Sequence, residues 1–253
     1  AERLAARSPD PAIARQFFEA HFTPVQLGQK EALFTGYFEP SYRATRTAVP
    51  GYVPLLSRPS DLVSVDLGQF SEELRGKRIA GRVESGRLLP YKSHEEIISS
   101  PPETETLAWL DPNDLLFLQI QGSGRLVYDS GETMRVGYAG QNGHNYIAIG
   151  RTLVRNGDLP LEEISMQSIR AWLERASPES AAQVRYSNPS YVFFRELDDL
   201  THPDLGPLGA QGVQLTPHRS IAVDDAYYRY GLPVWVELDD QGPSHSLYIA
   251  QDT

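Results

Sequence analysis

The sequence predicts a mixed α+β fold, mainly β with some helices. With 20 Gly and 19 Pro in 253 residues, turns interrupt the chain too often for a helical bundle. Short apolar runs of strand length recur between those turns, and a few segments carry helix-start signatures with apolar residues at helical spacing. A hydrophobic content of 40 %, with 13 Tyr, 9 Phe and 3 Trp, supports a packed core rather than disorder.

In chain order, Asp10-Pro11 reads as an N-cap followed by Pro at the first helical position. Ile13, Phe17, Phe18 and Phe22 give that helix an apolar stripe, expected to face the core. Ala32–Tyr37 reads as a strand in which Gly36 marks a bulge or a close approach. Residues 41–90 read as irregular, broken by Pro50, Pro54, Pro59 and Pro90, with one strand at Arg78–Val83. Ser93 and Glu96 form a capping box for a short helix through Ser99. Leu107–Leu110 is a further apolar segment, and Leu115–Leu118 reads as a buried strand.

That run empties into Gln121-Gly122-Ser123-Gly124. Asp129-Ser130-Gly131 predicts a hairpin turn between Arg125–Tyr128 and Glu132–Tyr138. The polar stretch Gly140-Gln141-Asn142-Gly143-His144-Asn145 leads to a helix over Ile147–Asn156, capped by Gly157. Ser165 caps another helix, with Met166, Ile169, Trp172 and Leu173 on one face, and a third spans Pro178–Tyr186. Strands follow at Tyr191–Arg195, Ser220–Val223, Pro233–Glu237 and Leu247–Ala250. The loop-like stretch 198–217 reads as the crossing between two structural units.

Composition narrows the function classes. A net charge of −10 and a pI near 5.1, with no block of like charges, argue against nucleic acid as a partner. The absence of Cys removes disulfides, thiolate metal sites and a Cys nucleophile. No apolar run approaches the roughly 18–20 residues of a membrane span. No signal peptide heads the chain, so the expectation is a cytosolic or an already trimmed protein. None of the 6 His forms an HxxxH or HExxH pair, so no metal site is expected. There is no GxSxG nucleophile elbow, and the glycines at 122 and 124 lack the third glycine of a dinucleotide fingerprint.

Carboxylates and Gly-rich loops remain. Asp224 and Asp252 each follow a predicted strand and would share one rim, where a pair of carboxylates suits acid/base cleavage of a glycoside. The same spacing also suits two solvated strand-end turns. The loops at 121–124 and 140–145 fit a binding site built at strand ends, or merely tight turns.

Several ordered motifs resemble one known family. F-T-G-Y-F-E-P at Phe34–Pro40, Q-G-S-G at Gln121–Gly124, G-Y-A-G-Q-N-G-H at Gly137–His144 and S-M-Q-S-I-R at Ser165–Arg170 are similar to the motifs of the membrane-bound lytic transglycosylase A (MltA) family. N-P-S-Y-V-F-F at Asn188–Phe194 and S-I-A-V-D at Ser220–Asp224 continue the match in the family's order.

The resemblance implies a double-psi β-barrel domain, here residues 1–38 and 205–253, interrupted by a large β-rich insert domain at 39–204, with glycan in the groove between them. It implies peptidoglycan as substrate and cleavage of the β-1,4 bond between N-acetylmuramic acid and N-acetylglucosamine. The muramyl C6 hydroxyl would attack C1 to leave a 1,6-anhydro end, with one Asp as acid and base and no metal or cofactor. By the same resemblance Thr35, Gly36, Tyr37, Gln121, Ser123, Gly124, Asn142 and His144 would line the groove, with Tyr37 as a stacking face. Asp224 and Asp252 would be supporting carboxylates, and the acid/base Asp is expected beyond Thr253, in a longer protein. Family members are lipid-anchored on the periplasmic face of the outer membrane. Two rival expectations stand beside this one: a glycan-binding module that does not cut, and a water-using glycosidase on a similar barrel, which needs two carboxylates roughly 6.5–9.5 Å apart for inversion.

Overall fold

The computed structural model describes residues 10–26, 34, 36, 38–198, 205–238 and 244–253. The chain divides into two compact units, Glu39–Thr201 and the two flanking segments Ala1–Phe38 with His202–Thr253.

The central unit is built on a six-stranded sheet in the order β2-β6-β1-β7-β8-β9. Its strands are β1 (Ser41–Thr45), β2 (Val53–Leu56), β6 (Thr106–Leu110), β7 (Ser123–Tyr128), β8 (Thr133–Gln141) and β9 (Val192–Glu196). β1 runs parallel to β7; the other named pairings are antiparallel. A second, antiparallel sheet holds β3 (Val63–Asp66), β4 (Arg78–Glu84) and β5 (Arg87–Pro90).

The strand expected at Arg78–Val83 is β4, but the rest of 41–90 holds four further strands and two short 3-10 turns rather than the irregular stretch expected. The prolines misled because they occupy positions where a strand tolerates a missing N–H. Pro54 lies in β2 and Pro90 ends β5, and both strands are sheet edges.

A second correction concerns Leu115–Leu118, which is helical. α3 spans Pro112–Gln121, after α1 (Pro11–His21) and α2 (His94–Ser99). Asp111 caps it by accepting from the Asn113 and Asp114 amides, with Pro112 at the first position. Leu115, Leu116, Phe117 and Leu118, one full turn, are all buried, so this stretch shows no amphipathic period. A short apolar run of that kind cannot be told from a buried strand by pattern alone.

The remaining helices are α4 (Ile149–Asn156), α5 (Met166–Arg175) and α6 (Pro178–Tyr186). The expected caps are present: Ser93 with Glu96 at α2, Ser165 at α5 and left-handed Gly157 after α4. The Asp129–Gly131 turn joins β7 to β8 as expected. Helices and sheet close over one core that includes Leu55, Leu110, Leu126, Val136, Tyr191 and Phe193.

The flanking unit contains α1 and a sheet of β10 (Ser220–Ala222), β12 (Ser244–Asp252) and β11 (Pro233–Leu238), with β12 in the middle. β10 is parallel to β12 and β11 antiparallel to it. Asp252 is thus the last residue of its strand, not a residue beyond it. α1 starts as predicted, with Asp10 accepting from the Ala12 amide, but the expectation of a buried stripe fails: none of its residues is buried. Phe17, Phe18 and Phe22 instead pack on one another in edge-on and tilted contacts. Among the described residues of this unit, Leu215 and Ala250 are the buried apolar ones. The predicted strand at Ala32–Tyr37 lies outside the described residues except for Phe34 and Gly36, neither of which is in a strand.

Candidate functional site

Both polar loops of the central unit open from the same end of the β7–β8 hairpin, opposite its Asp129–Gly131 turn. α3 ends at Gly122, whose φ of 79° is left-handed, and the chain enters β7 at Ser123, opposite Gly137 of β8. β8 runs on from Gly137 to Gln141 before the second loop begins, about 13 Å at the rise of an extended strand.

Asn142 is 0 % exposed. Its Nδ2 donates to the Lys92 and Pro189 carbonyls at 2.9 and 2.8 Å. Its Oδ1 accepts from the Tyr191 and His144 amides at 3.0 and 3.4 Å. Both carboxamide protons and both lone pairs are consumed, so nothing is left for a sugar. Asn142 is a brace for the loop, its carboxamide committed to the fold.

Gly143, at φ +85°, lies flat on β4: a Cβ there would collide with the Ala80 carbonyl. His144 Nε2–H donates to the Tyr91 carbonyl at 2.8 Å. A carbonyl only accepts, so Nε2 carries a proton. Asn188 completes the frame by accepting from the Ile147 amide at 3.0 Å.

The first loop divides in the same way. Gly124 is a packing glycine, since a Cβ would meet Leu118 Cδ1 at 2.9 Å, the Pro40 carbonyl at 3.2 Å and the Tyr42 ring at 3.2 Å. Packing alone accounts for its lack of a side chain. Gln121 is exposed and Ser123 half-buried. Gly36 is exposed, and Thr35 and Tyr37 lie outside the described residues.

Three features of this end escaped the sequence reading. Tyr138 is 53 % exposed, on β8 just before a bulge between Tyr138 and Gly140. A bulge re-aims side chains beside a site, and an exposed ring offers the apolar face that a sugar stacks upon. The aromatic in the middle of a hairpin strand was the signal, but alternation alone did not say which face would stay wet. The second feature is an ion cluster: Glu39 Oε2 accepts from Arg125 and Arg135, each at 3.1 Å. Arg125 stands directly opposite Arg135 in the β7–β8 register, and two like charges so placed require a counter-charge. The hairpin turn itself carried that signal. The third is Gln119, whose buried Oε1 and Nε2 have no hydrogen-bond partner among the described residues.

In the flanking unit Asp224 and Asp252 come to the same end of the parallel β10–β12 pair, where the Val223 amide donates to the Asp252 carbonyl at 2.8 Å. Asp252 Oδ1 accepts from the Ala210 amide at 2.9 Å, and Asp224 Oδ1 from the Ala226 amide at 2.9 Å. Asp224 therefore holds a local turn, whereas Asp252 ties the end of its strand to the Ala210 amide, 42 residues away in sequence. Among the described residues no group of three or more His, Cys, Asp or Glu converges on a metal-sized site.

The family model described as the MltA specific insert domain matches residues 33–195, which takes in both loops, the ion cluster and Tyr138. This chain belongs to the MltA family. Membrane-bound lytic murein transglycosylase A of Escherichia coli K12 is 33 % identical over 140 residues, 53 % of this chain and 37 % of that protein. The crystal structure of MltA from Neisseria gonorrhoeae superposes with a TM-score of 0.73 at 31 % identity, covering 87 % of this chain and 62 % of that one. E. coli MltA with bound chitohexaose superposes with a TM-score of 0.62 at 28 % identity, over 87 % of this chain and 60 % of that one. The MltA-family chain thus spans less than two thirds of the length of these relatives.

Proposed function

We propose that the protein is a peptidoglycan lytic transglycosylase that binds glycan strands at the open end of the β7–β8 hairpin. The observation that carries this reading is the family match over residues 33–195, supported by a relative solved with chitohexaose. Gln121, Ser123 and His144 would meet sugar hydroxyls and N-acetyl groups, and Tyr138 would supply a stacking face. Asn142 and Gly124 would shape it from behind.

The reaction would cleave the β-1,4 bond between N-acetylmuramic acid and N-acetylglucosamine. One aspartic acid protonates the leaving oxygen, then accepts the proton of the muramyl C6 hydroxyl as that oxygen bonds to C1, closing a 1,6-anhydro ring. Asp252 and Asp224 would support that acid, since neighbouring negative charge favours its protonated form. The relatives' description as membrane-bound supports a place at the membrane, and the family resemblance would put it on the periplasmic face of the outer membrane. Among the described residues no helix is long and apolar enough to cross a bilayer.

Purified protein incubated with peptidoglycan sacculi tests the reading. Released muropeptides with anhydro ends, one water lighter than hydrolysis products, are the expected result, and substituting Asp252 by Asn should slow their release. Reducing ends would replace the proposal with a water-using glycosidase, and binding without release would leave a glycan-binding protein.

A further inference from the structure

Helices α3, α4 and α5 enclose a groove of about 480 Å³. Its floor is apolar, formed by Phe117, Ile149, Val154, Ile164 and Ile169. Gly150 lets the floor close up, because a Cβ there would already stand 3.1 Å from Ile164 and 3.3 Å from Ile169. The walls offer almost none of the amides and hydroxyls that a hexosamine needs, so the groove is chemically unlike the polar hairpin end.

We propose that this groove docks an acidic amphipathic helix of a partner protein. The rim is the first argument. Leu161 is 70 % exposed, Tyr146 55 %, Met166 45 % and Ile120 39 %. A small ligand on the floor would leave these side chains wet, whereas a helix laid along the groove covers floor and rim together. Tyr, Met and Arg are also the residue types enriched where proteins meet.

Charge is the second argument. Arg151 and Arg155, one turn apart on α4, both line the groove and are exposed. Neither forms an ion pair with a carboxylate among the described residues, Glu162 and Glu163 of the adjoining turn included, whereas Arg170 on α5 pairs with Asp114 and Glu174. A chain of net charge −10 repels acidic partners in general, so two uncommitted guanidiniums beside an apolar groove select an acidic one locally. A membrane surface is disfavoured, since basic lipid-binding clusters use roughly four to eight cations.

Two helix-stabilised peptides of roughly 15 residues provide the probe, with the same Leu/Ile face at helical spacing and either Glu or Lys on its flanks. Fluorescence anisotropy at physiological salt should show the Glu peptide binding roughly tenfold or more tighter than the Lys peptide, as two rim ion pairs predict. Arg151→Glu with Arg155→Glu should invert that preference. Met166→Asp, at an exposed position that folding tolerates, should weaken the Glu peptide by about thirtyfold, the loss expected of an interface anchor. Failure of the Glu peptide to bind, equal binding of both peptides, or capture of anionic vesicles in place of either peptide would each overturn the proposal. The result does not depend on whether the protein cleaves peptidoglycan.

Discussion

Asn142 and Tyr191 hold each other twice. The Asn142 amide donates to the Tyr191 carbonyl at 3.0 Å, and the Tyr191 amide donates back to Asn142 Oδ1 at 3.0 Å. Through this pair the loop after β8 is fastened to the chain entering β9. Replacing Asn142 by Ala strands the Lys92 carbonyl and the Tyr191 and His144 amides, while the Pro189 carbonyl keeps the His94 amide. At about 1–3 kcal/mol per orphaned buried group, denaturant unfolding should show a loss of roughly 3 kcal/mol or more. Asn142→Asp should be worse, because it aims a carboxylate at two carbonyls.

The two left-handed glycines beside the site should respond differently to Ala. Gly122 has open space where a Cβ would go, so Gly122→Ala should cost only the left-handed penalty, about 1–2 kcal/mol. Gly143 carries the same φ penalty plus the collision with Ala80, and Gly143→Ala should cost about 3 kcal/mol or more. Equal melting temperatures for the two variants would show that the loop does not rest on β4 in solution.

His94 gives the fold a pH dependence. It is buried between the Tyr186 and Tyr191 rings, its Nδ1 has no partner among the described residues, and burial lowers its pKa to about 4. The unfolded chain, with His near 6.5, binds more protons between these values, so stability is complete above the unfolded pKa and falls as pH drops toward 4. The full loss is about 3 kcal/mol. Stability measured from pH 8 to pH 4 should show it, and His94→Phe, which keeps the ring contacts, should flatten that part of the profile.

Glu39 offsets two guanidiniums with one side chain that is 10 % exposed. Glu39→Gln should destabilise by about 3 kcal/mol, the range for breaking a buried pair from one side. Adding Arg135→Met should recover part of that loss, and a double-mutant cycle would measure the coupling.

Tyr138 tests the glycan surface without endangering the fold, because its ring is exposed. Tyr138→Ala should leave the melting temperature nearly unchanged and weaken chitohexaose binding by about tenfold, as loss of an aromatic face predicts. Unchanged affinity in calorimetry would remove Tyr138 from the site.

What the sequence determined by itself is what rests on short-range bonds. Asp10-Pro11, the Ser93–Glu96 box, the Ser165 cap, the Asp129–Gly131 turn and left-handed Gly157 all complete their hydrogen bonds within a few residues, so their partners can be read alongside them. The ordered motifs were likewise enough to place the chain near its family.

The tertiary structure decided what depends on distant partners. Leu115–Leu118 is helical, and the burial of all four side chains erases the period that would distinguish it from a strand. Glu39 meets Arg125 and Arg135 across separations of 86 and 96 residues. Asn142 looked like a ligand contact because its polar type fits either role, and only the carbonyls of Lys92 and Pro189, 50 and 47 residues away, turned its carboxamide inward. A side chain's chemistry is written in its own position, but whether that chemistry is spent on the fold or left for a substrate depends on what the rest of the chain brings beside it.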